Sequence, residues 1–392
     1  MKKPDLTNLI KLIGVILMLA LLASGFIRAA LFPKEINDYE GRAAYQLPKL
    51  NSAPADAPAY QDRIENALTD QFPFSQYLKK AYNVLKYDYL DLTAMPVVRE
   101  HPDRYFFIQP SLMYNDMMVE RPVPLEKISP DMDRVLASYD RLAFADPEAE
   151  FYLYYVESDN DLDFETGEKN GVFEHIMSTS KLPKEHIACF AVNSFADYRD
   201  SYYSTDHHWN WRGSYRGYTE LLELLGCDEK PLEPVEEVSF SRPWQGSKSK
   251  TVGFGAVTEI FCAYRFEFPD MSVTIDGSPA SDYGRQDEFF DNRDAAVSTL
   301  DFYGGNYEEV ILDTGRPERE SILLIGDSFT HAILKPLASH YDRTCLLDPR
   351  CRPLDMEEVS AFIEREGIDK VIFVNYSSTL SDTRFVIGGV TK

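Results

Sequence analysis

The chain has 392 residues, 44% of them hydrophobic and 13% aromatic, enough to bury one large core. A formal charge of −24 argues against nucleic acid as a partner and against adhesion to anionic lipid through a basic patch. The five cysteines, Cys189, Cys227, Cys262, Cys345 and Cys351, show neither CxxC nor zinc spacing; Cys345 and Cys351 are close enough in sequence for a disulfide, five free thiols is the equal alternative, and cysteine does not fix the compartment.

Residues 12–27 are sixteen uncharged, mostly aliphatic positions that come after Lys2, Lys3 and Lys11. With Leu9, Ile10 and the flanks at 28–32, the segment approaches the lower limit of about 17–25 residues for a membrane span. Lysines ahead of it predict an inside N-terminus and an outside body. The rival is a cleaved signal peptide, but the run exceeds the usual apolar region of about 7–15 residues. Arg28 also interrupts the best small-residue cleavage site at Ala29-Ala30. Residues 1–32 therefore read as an anchor, and either reading exports the chain beyond residue 32.

Residues 33–62, with Pro48, Pro54 and Pro58, read as a linker, and 63–392 as the folded body. Helical spacing of Leu68, Phe72, Tyr77, Leu78, Tyr82, Leu85 and Tyr89 predicts a helix over 63–90 whose aromatics belong to a core. A hairpin is expected at 97–108 and a helix at 125–145. From residue 150, apolar strands at 151–156, 186–192, 322–325, 344–347 and 371–374 alternate with polar or amphipathic segments, which implies a parallel sheet with helices on both faces. The cluster Asp159, Asp161, Asp163 and Glu165 comes after the first strand; Phe164 stands where a calcium loop needs glycine, so it reads as a solvated acidic loop. An amphipathic helix is expected at 213–225. Residues 231–318 read as a β-rich insertion containing the alternating run Ala263-Tyr264-Arg265-Phe266-Glu267-Phe268, and Gly253-Phe254-Gly255-Ala256 lacks the strand-then-helix context of a phosphate loop.

Two stretches carry chemistry. Ser321-Ile322-Leu323-Leu324-Ile325 is a buried strand closed by Gly326, so Ser328 in Gly326-Asp327-Ser328-Phe329 sits just past a strand's C-terminal end, where parallel sheets bind ligands. A serine hydroxyl becomes a nucleophile when an imidazole takes its proton and a carboxylate fixes the tautomer. Asp206 and His208, in Asp206-His207-His208-Trp209, are two apart; in extended backbone they face one side while His207 points away. Asp-His-His also occurs in two-metal phosphoesterases, but those sites need several further aspartate motifs, and no metal or other cofactor is expected.

Thr205-Asp206-His207-His208-Trp209 together with Gly326-Asp327-Ser328-Phe329 resembles the DHHW protein family, a relative of the alginate O-acetylation proteins within the SGNH hydrolase superfamily. Asp70-Gln71-Phe72-Pro73-Phe74, Gly304-Gly305-Asn306-Tyr307 and Leu347-Asp348-Pro349-Arg350 resemble recurring segments of that family in the same order. The resemblance implies an SGNH-like, flavodoxin-like α/β domain in which Asp206 orients, His208 acts as base and Ser328 attacks. Asn375 and Arg350, each expected past a strand end, are oxyanion or substrate candidates with Trp209, His207 and Asp327. The expected function is acyl-ester chemistry on a cell-surface glycan, either O-acetyl transfer or, with water as acceptor, hydrolysis. A non-catalytic glycan-binding protein on the same fold is the alternative from another class. A membrane partner that passes acyl groups outward is implied by the resemblance alone. In two respects the chain departs from ordinary SGNH hydrolases: Asp and His precede the serine, and no glycine comes after Ser328 to supply an oxyanion donor.

Overall fold

The computed structural model describes residues 6–34, 36–37, 42–47, 57–72, 75, 77–78, 81–82, 85, 95–107, 111–252 and 258–388. The chain divides into two compact units, Met1–Val97 with Ser249–Ala256, and Val98–Lys248 with Val257–Lys392.

In the first unit, helix α1 (Leu6–Leu31) includes a segment, Leu12–Leu31, that is long and apolar enough to cross a membrane, with a mean hydropathy of 2.3. Helix α2 (Ala57–Gln71) covers the start of the helix expected at 63–90, and most of 73–94 lies outside the described residues, as do 253–257 with their glycines. Tyr77 and Tyr82, expected in a core, are largely exposed. Asp70 and Gln71 act locally: the Asp70 carboxylate accepts the Tyr45 amide at 2.9 Å, and the Gln71 side chain brackets the main chain of Lys34.

The second unit begins with a three-stranded antiparallel sheet, β1 (Tyr105–Phe107), β2 (Leu112–Tyr114) and β3 (Met117–Val119). The hairpin expected at 97–108 is thus shifted, because residues 95–100 are helical and the tight turn falls at Asn115, whose φ of 54° suits asparagine. Helix α3 (Leu125–Ala145) then leads into β4 (Glu150–Val156) and β5 (Ile187–Phe190), and helix α4 (Trp211–Leu224) comes after the Asp-His-His-Trp stretch. Two strands of the insertion, β6 (Glu236–Trp244) and β7 (Glu259–Arg265), form an antiparallel pair. Its other strands, β8 (Ser272–Ile275), β9 (Ser278–Ala280) and β10 (Glu309–Asp313), extend the main sheet in antiparallel fashion, with the short helix α5 (Thr299–Tyr303) between them. Strands β11 (Ile322–Gly326), β12 (Arg343–Leu347) and β13 (Lys370–Tyr376) alternate with helices α6 (His331–Ala338) and α7 (Met356–Glu366).

The main sheet runs β9-β8-β10-β12-β11-β13-β4-β5, parallel from β12 to β5. Counted from the serine strand β11, the parallel part reads 2-1-3-4-5, the flavodoxin-like order. The chain therefore presents a flavodoxin-like sheet with its strands met in rotated sequence: β4 and β5 come first, which is why Asp206 and His208 precede Ser328. Alternation sorts the side chains to two faces. Tyr152, Tyr154, Ile322, Leu324, Ile372 and Val374 pack with Leu221 of α4 and Ile333, Leu334 and Leu337 of α6. Phe151, Leu153, Leu323, Ile325, Val371 and Phe373 pack with Val135, Leu136 and Tyr139 of α3 and Phe362 of α7.

The acidic loop after β4 is solvated only in part: Glu165 is exposed and Asp163 half-buried. Asp159 and Asp161 are buried; Asp159 pairs with the buried ammonium of Lys248, and Asp161 accepts the Tyr155 hydroxyl at 2.6 Å and the Ser158 amide at 2.9 Å. Phe164 packs against Tyr114, Phe195 and Tyr198, and this aromatic anchor folds the carboxylates inward. All five cysteines are free thiols.

Candidate active site

Ser328 opens a single 3-10 turn, Ser328–Thr330, between β11 and α6 at the C-terminal edge of the sheet. The turn is tight because Gly326 allows it: a Cβ there would meet Thr330 Cγ2 at 2.6 Å and the Val374 carbonyl oxygen at 3.0 Å. Asp327 caps the turn. Its Oδ1 accepts the Phe329 amide at 2.8 Å and its Oδ2 accepts the Thr379 hydroxyl at 2.6 Å, so it shapes the loop and does not face a substrate.

His208 Nε2 lies 2.7 Å from Ser328 Oγ, and its Nδ1 lies 2.5 Å from Asp206 Oδ1. Asp206 also accepts the His208 amide at 3.0 Å on Oδ1 and the Ser247 amide at 2.6 Å on Oδ2. The stretch is a series of bends, not a strand, and the Asp206 carboxylate closes a local turn onto its own backbone. His207 consequently does not point away: its ring centroid is 3.8 Å from that of His208, and its Nδ1 meets Ser247 Oγ at 2.7 Å. Burial pushes the Asp206 carboxyl up, but the charge and hydrogen bond of His208, the charge of His207 and the Ser247 amide hold it well below the usual carboxylate range. Burial, then the neighbouring His208 charge, lowers His207 to about 3. With Asp206 ionised, the proton of neutral His208 belongs on Nδ1, which leaves the Nε2 lone pair for the Ser328 hydroxyl.

Trp209 is buried and lines the pocket beside Ser328. It stands over Phe329 at 5.3 Å and against two glycines one turn apart on α4. A Cβ at Gly217 would lie 2.5 Å from the indole ring, and one at Gly213 would lie 2.9 Å from Trp209 Cβ. Thr205 is gripped from the insertion: Glu259 of β7 accepts the Ser204 and Thr205 amides at 2.9 and 2.8 Å and the Thr205 hydroxyl at 2.6 Å.

Arg350 reaches the same serine, with Nη1 3.2 Å from Ser328 Oγ. Asp348 holds its other edge at 3.0 Å from Nε and 2.6 Å from Nη2, and Asn306 Oδ1 accepts Nη2 at 3.2 Å. The Gly304-Gly305-Asn306-Tyr307 and Leu347-Asp348-Pro349-Arg350 segments thus converge on Ser328. Burial works against the guanidinium charge, but the hydrogen bond and charge of Asp348 outweigh it and raise the Arg350 pKa. Asn375 is not brought here. Strand alternation puts it on the face of Phe373, where its Oδ1 accepts the Tyr139 hydroxyl at 3.0 Å.

Four further residues, Ser247, Gly246, Glu259 and His331, surround these groups and carry no motif that marks them in the sequence. His331, three residues after Ser328, lines the pocket beside it with Tyr203, Leu300 and Tyr303, and its buried Nε2 has no partner among the described residues. Burial, then the charges of Arg350 and His208, lower it to about 3. Asp206, His207 and His208 also place one ligand atom each within 4.8 Å of one another. Both Asp206 oxygens and both His208 nitrogens are already engaged, so a metal ion there would have to break those bonds.

No protein-family model matches the chain, and no curated protein matches it. Among solved structures it resembles PatB1 of Bacillus cereus, determined with a sulfonyl adduct, at 19% identity over 72% of this chain and 98% of that one, with a TM-score of 0.52. A DHHW family protein from Eubacterium siraeum is similar at 14% identity over 70% of this chain and 92% of that one, with a TM-score of 0.53. The fold is therefore shared with a DHHW protein, in agreement with the motifs.

Proposed function

We propose that the protein is an outward-facing, membrane-anchored acyl-ester enzyme that transfers an O-acetyl group to a cell-surface polysaccharide through an acyl-serine. The observation that carries this reading is the pair of contacts at His208, 2.7 Å to Ser328 Oγ and 2.5 Å to Asp206 Oδ1.

In the first step His208 Nε2 takes the Ser328 proton while Oγ bonds to the acyl carbonyl carbon of an ester donor. Negative charge then develops on the carbonyl oxygen, and we assign the Arg350 guanidinium and the Ser328 amide as its donors. As the tetrahedral species collapses, the ester C–O bond breaks and His208 returns the proton to the leaving oxygen. A sugar hydroxyl next gives its proton to His208 and attacks the acyl-serine, which releases Ser328 protonated; water in that position yields hydrolysis. Asp206, held ionised by its neighbours, stabilises the imidazolium in both steps. A polysaccharide acceptor is supported by the likeness of the Asp-His-His-Trp and Gly-Asp-Ser stretches to the alginate O-acetylation proteins, which also suggests a membrane partner that supplies acyl groups.

Export is supported by helix α1, whose Leu17, Met18 and Leu19 are exposed as a lipid-facing surface requires. We take 1–32 as anchor, 33–62 as linker and 63–392 as the SGNH-like body. The test is formation of an acyl-serine by the detergent-solubilised chain with an activated acetyl ester, read by mass spectrometry. Parent protein is expected to label at Ser328, and Ser328→Ala and His208→Ala to lose labelling and turnover; unchanged turnover in both would end this reading.

A further inference from the structure

Two rows of aromatic side chains line a trough beside the Ser328 pocket. Trp211 and Tyr215 are one turn apart on α4 and share a face, while Tyr264, Phe266 and Phe268 alternate along β7 and the segment after it. Tyr215 lies 5.6 Å from Tyr264 and 6.0 Å from Phe266, and Phe266 lies 5.8 Å from Phe268, ring centre to ring centre. All five rings are partly exposed. The trough adjoins the pocket beside Ser328, and Tyr303 and Ala332 line both.

Among the described residues, the lining holds no Lys, Arg, Asp or Glu. The cations at its rim are already committed: Arg212 lies 5.0 Å over the Trp211 ring and 3.6 Å from Glu237, and Lys335 lies 4.9 Å over Phe268 and 2.8 Å from Asp282. A uronate or phosphodiester polymer would find no partner here and would be repelled by a chain of net charge −24. A neutral sugar, by contrast, offers C–H faces to the rings and hydroxyls to the tyrosine phenols and Gln286. We propose that this trough is the subsite for an uncharged glycan chain and delivers one of its hydroxyls to Ser328. The proposal rests on the acyl-transfer reading for its purpose, but glycan binding is measured apart from acylation.

Calorimetric titration of the solubilised full chain with chitopentaose, cellopentaose and mannopentaose, against polygalacturonate and octanol, tests it. At least one neutral pentasaccharide is expected to bind, about tenfold more weakly to Tyr264→Ala and Phe266→Ala, with Tyr264→Phe much closer to the parent. Should an alanine variant fail to fold, protection of Tyr264 and Phe266 from hydroxyl-radical labelling by the bound pentasaccharide answers the same question in the parent chain. The proposal is overturned if none of the three binds, if polygalacturonate binds more tightly, if only octanol binds, or if folded alanine variants bind like the parent. Ser328→Ala is expected to bind as the parent does. Glycan binding without an acyl-serine would leave the trough and remove the enzyme; an acyl-serine without glycan binding would do the reverse.

Discussion

Arg350 Nη1 stands 3.2 Å from Ser328 Oγ, and the carboxylate that holds the rest of the guanidinium belongs to Asp348, two residues earlier in the same turn. One cation is thus fixed by its own loop and aimed by it at the serine.

A lysine cannot grip Asp348 through two nitrogens and still reach Ser328 with a third. Arg350→Lys is expected to lower kcat by about 10²–10³-fold with KM nearly unchanged, the pattern of a lost oxyanion donor. Steady-state kinetics on an activated acetyl ester check this. A rise in KM alone would place Arg350 in ground-state binding.

The position of Asp206 depends on Gly246, where a Cβ would fall 2.4 Å from Asp206 Cβ and 2.6 Å from Oδ2. Gly246→Ala should therefore displace the carboxylate from His208, and Asp206→Asn should lower kcat by about 10³–10⁴-fold through loss of the tautomer, the scale the serine-protease template sets. If Gly246→Ala acts through Asp206, combining the two changes costs little more than Asp206→Asn alone.

His331, facing Arg350, His208 and the ring of Tyr283, has a folded pKa of about 3 against about 6.5 unfolded. Between those values the unfolded chain binds more protons, so stability rises with pH and is lost as pH falls from about 6.5 toward 3. His207 acts in the same direction. His331→Gln removes one such contribution and should shrink the stability difference between pH 7 and pH 4.5 by on the order of 2–3 kcal/mol. Urea denaturation at the two pH values measures it; an undiminished difference would show that His331 is not held neutral.

Gly217→Ala places a methyl against the Trp209 indole, whose nearest ring carbon is 2.5 Å from the added Cβ. A destabilisation of about 1–3 kcal/mol is expected from overpacking, with a loss of turnover because Trp209 ties the His208 turn to α4. Thermal melts and kinetics of the folded variant read both effects.

Most of the main sheet is legible in the sequence because β4, β11, β12 and β13 are short aliphatic runs with few rivals for their pattern, and α3 repeats its apolar residues at clean helical spacing. The grouping of Asp206, His208 and Ser328 is legible from residue type and the strand-end position of Ser328, and the structure brings the three within hydrogen-bond distance. What escapes is long-range. Nothing local marks Glu259 as the clamp on Thr205 or Ser247 as the partner of His207, because those bonds close loops of 54 and 40 residues. The burial of Asp159 and Asp161, in place of the expected solvation, depends on Lys248, 89 residues from Asp159, and on the Phe164 anchor. Asn375 differs from the expected oxyanion position by one step of alternation, which sends it to the α3 face.

Strand β13 bonds to β11 on one side and to β4 on the other, yet it is the last of the three to leave the ribosome. The β4–β5 half leads to Asp206 and His208 and the β11–β12 half holds Ser328, so the halves share no strand register until residues 370–376 zip between them. Vectorial synthesis therefore delays that shared register until the final strand arrives, and a chain halted before Lys370 would hold Ser328 near His208 only through the packing of α4 with α6 and of Trp209 on Phe329.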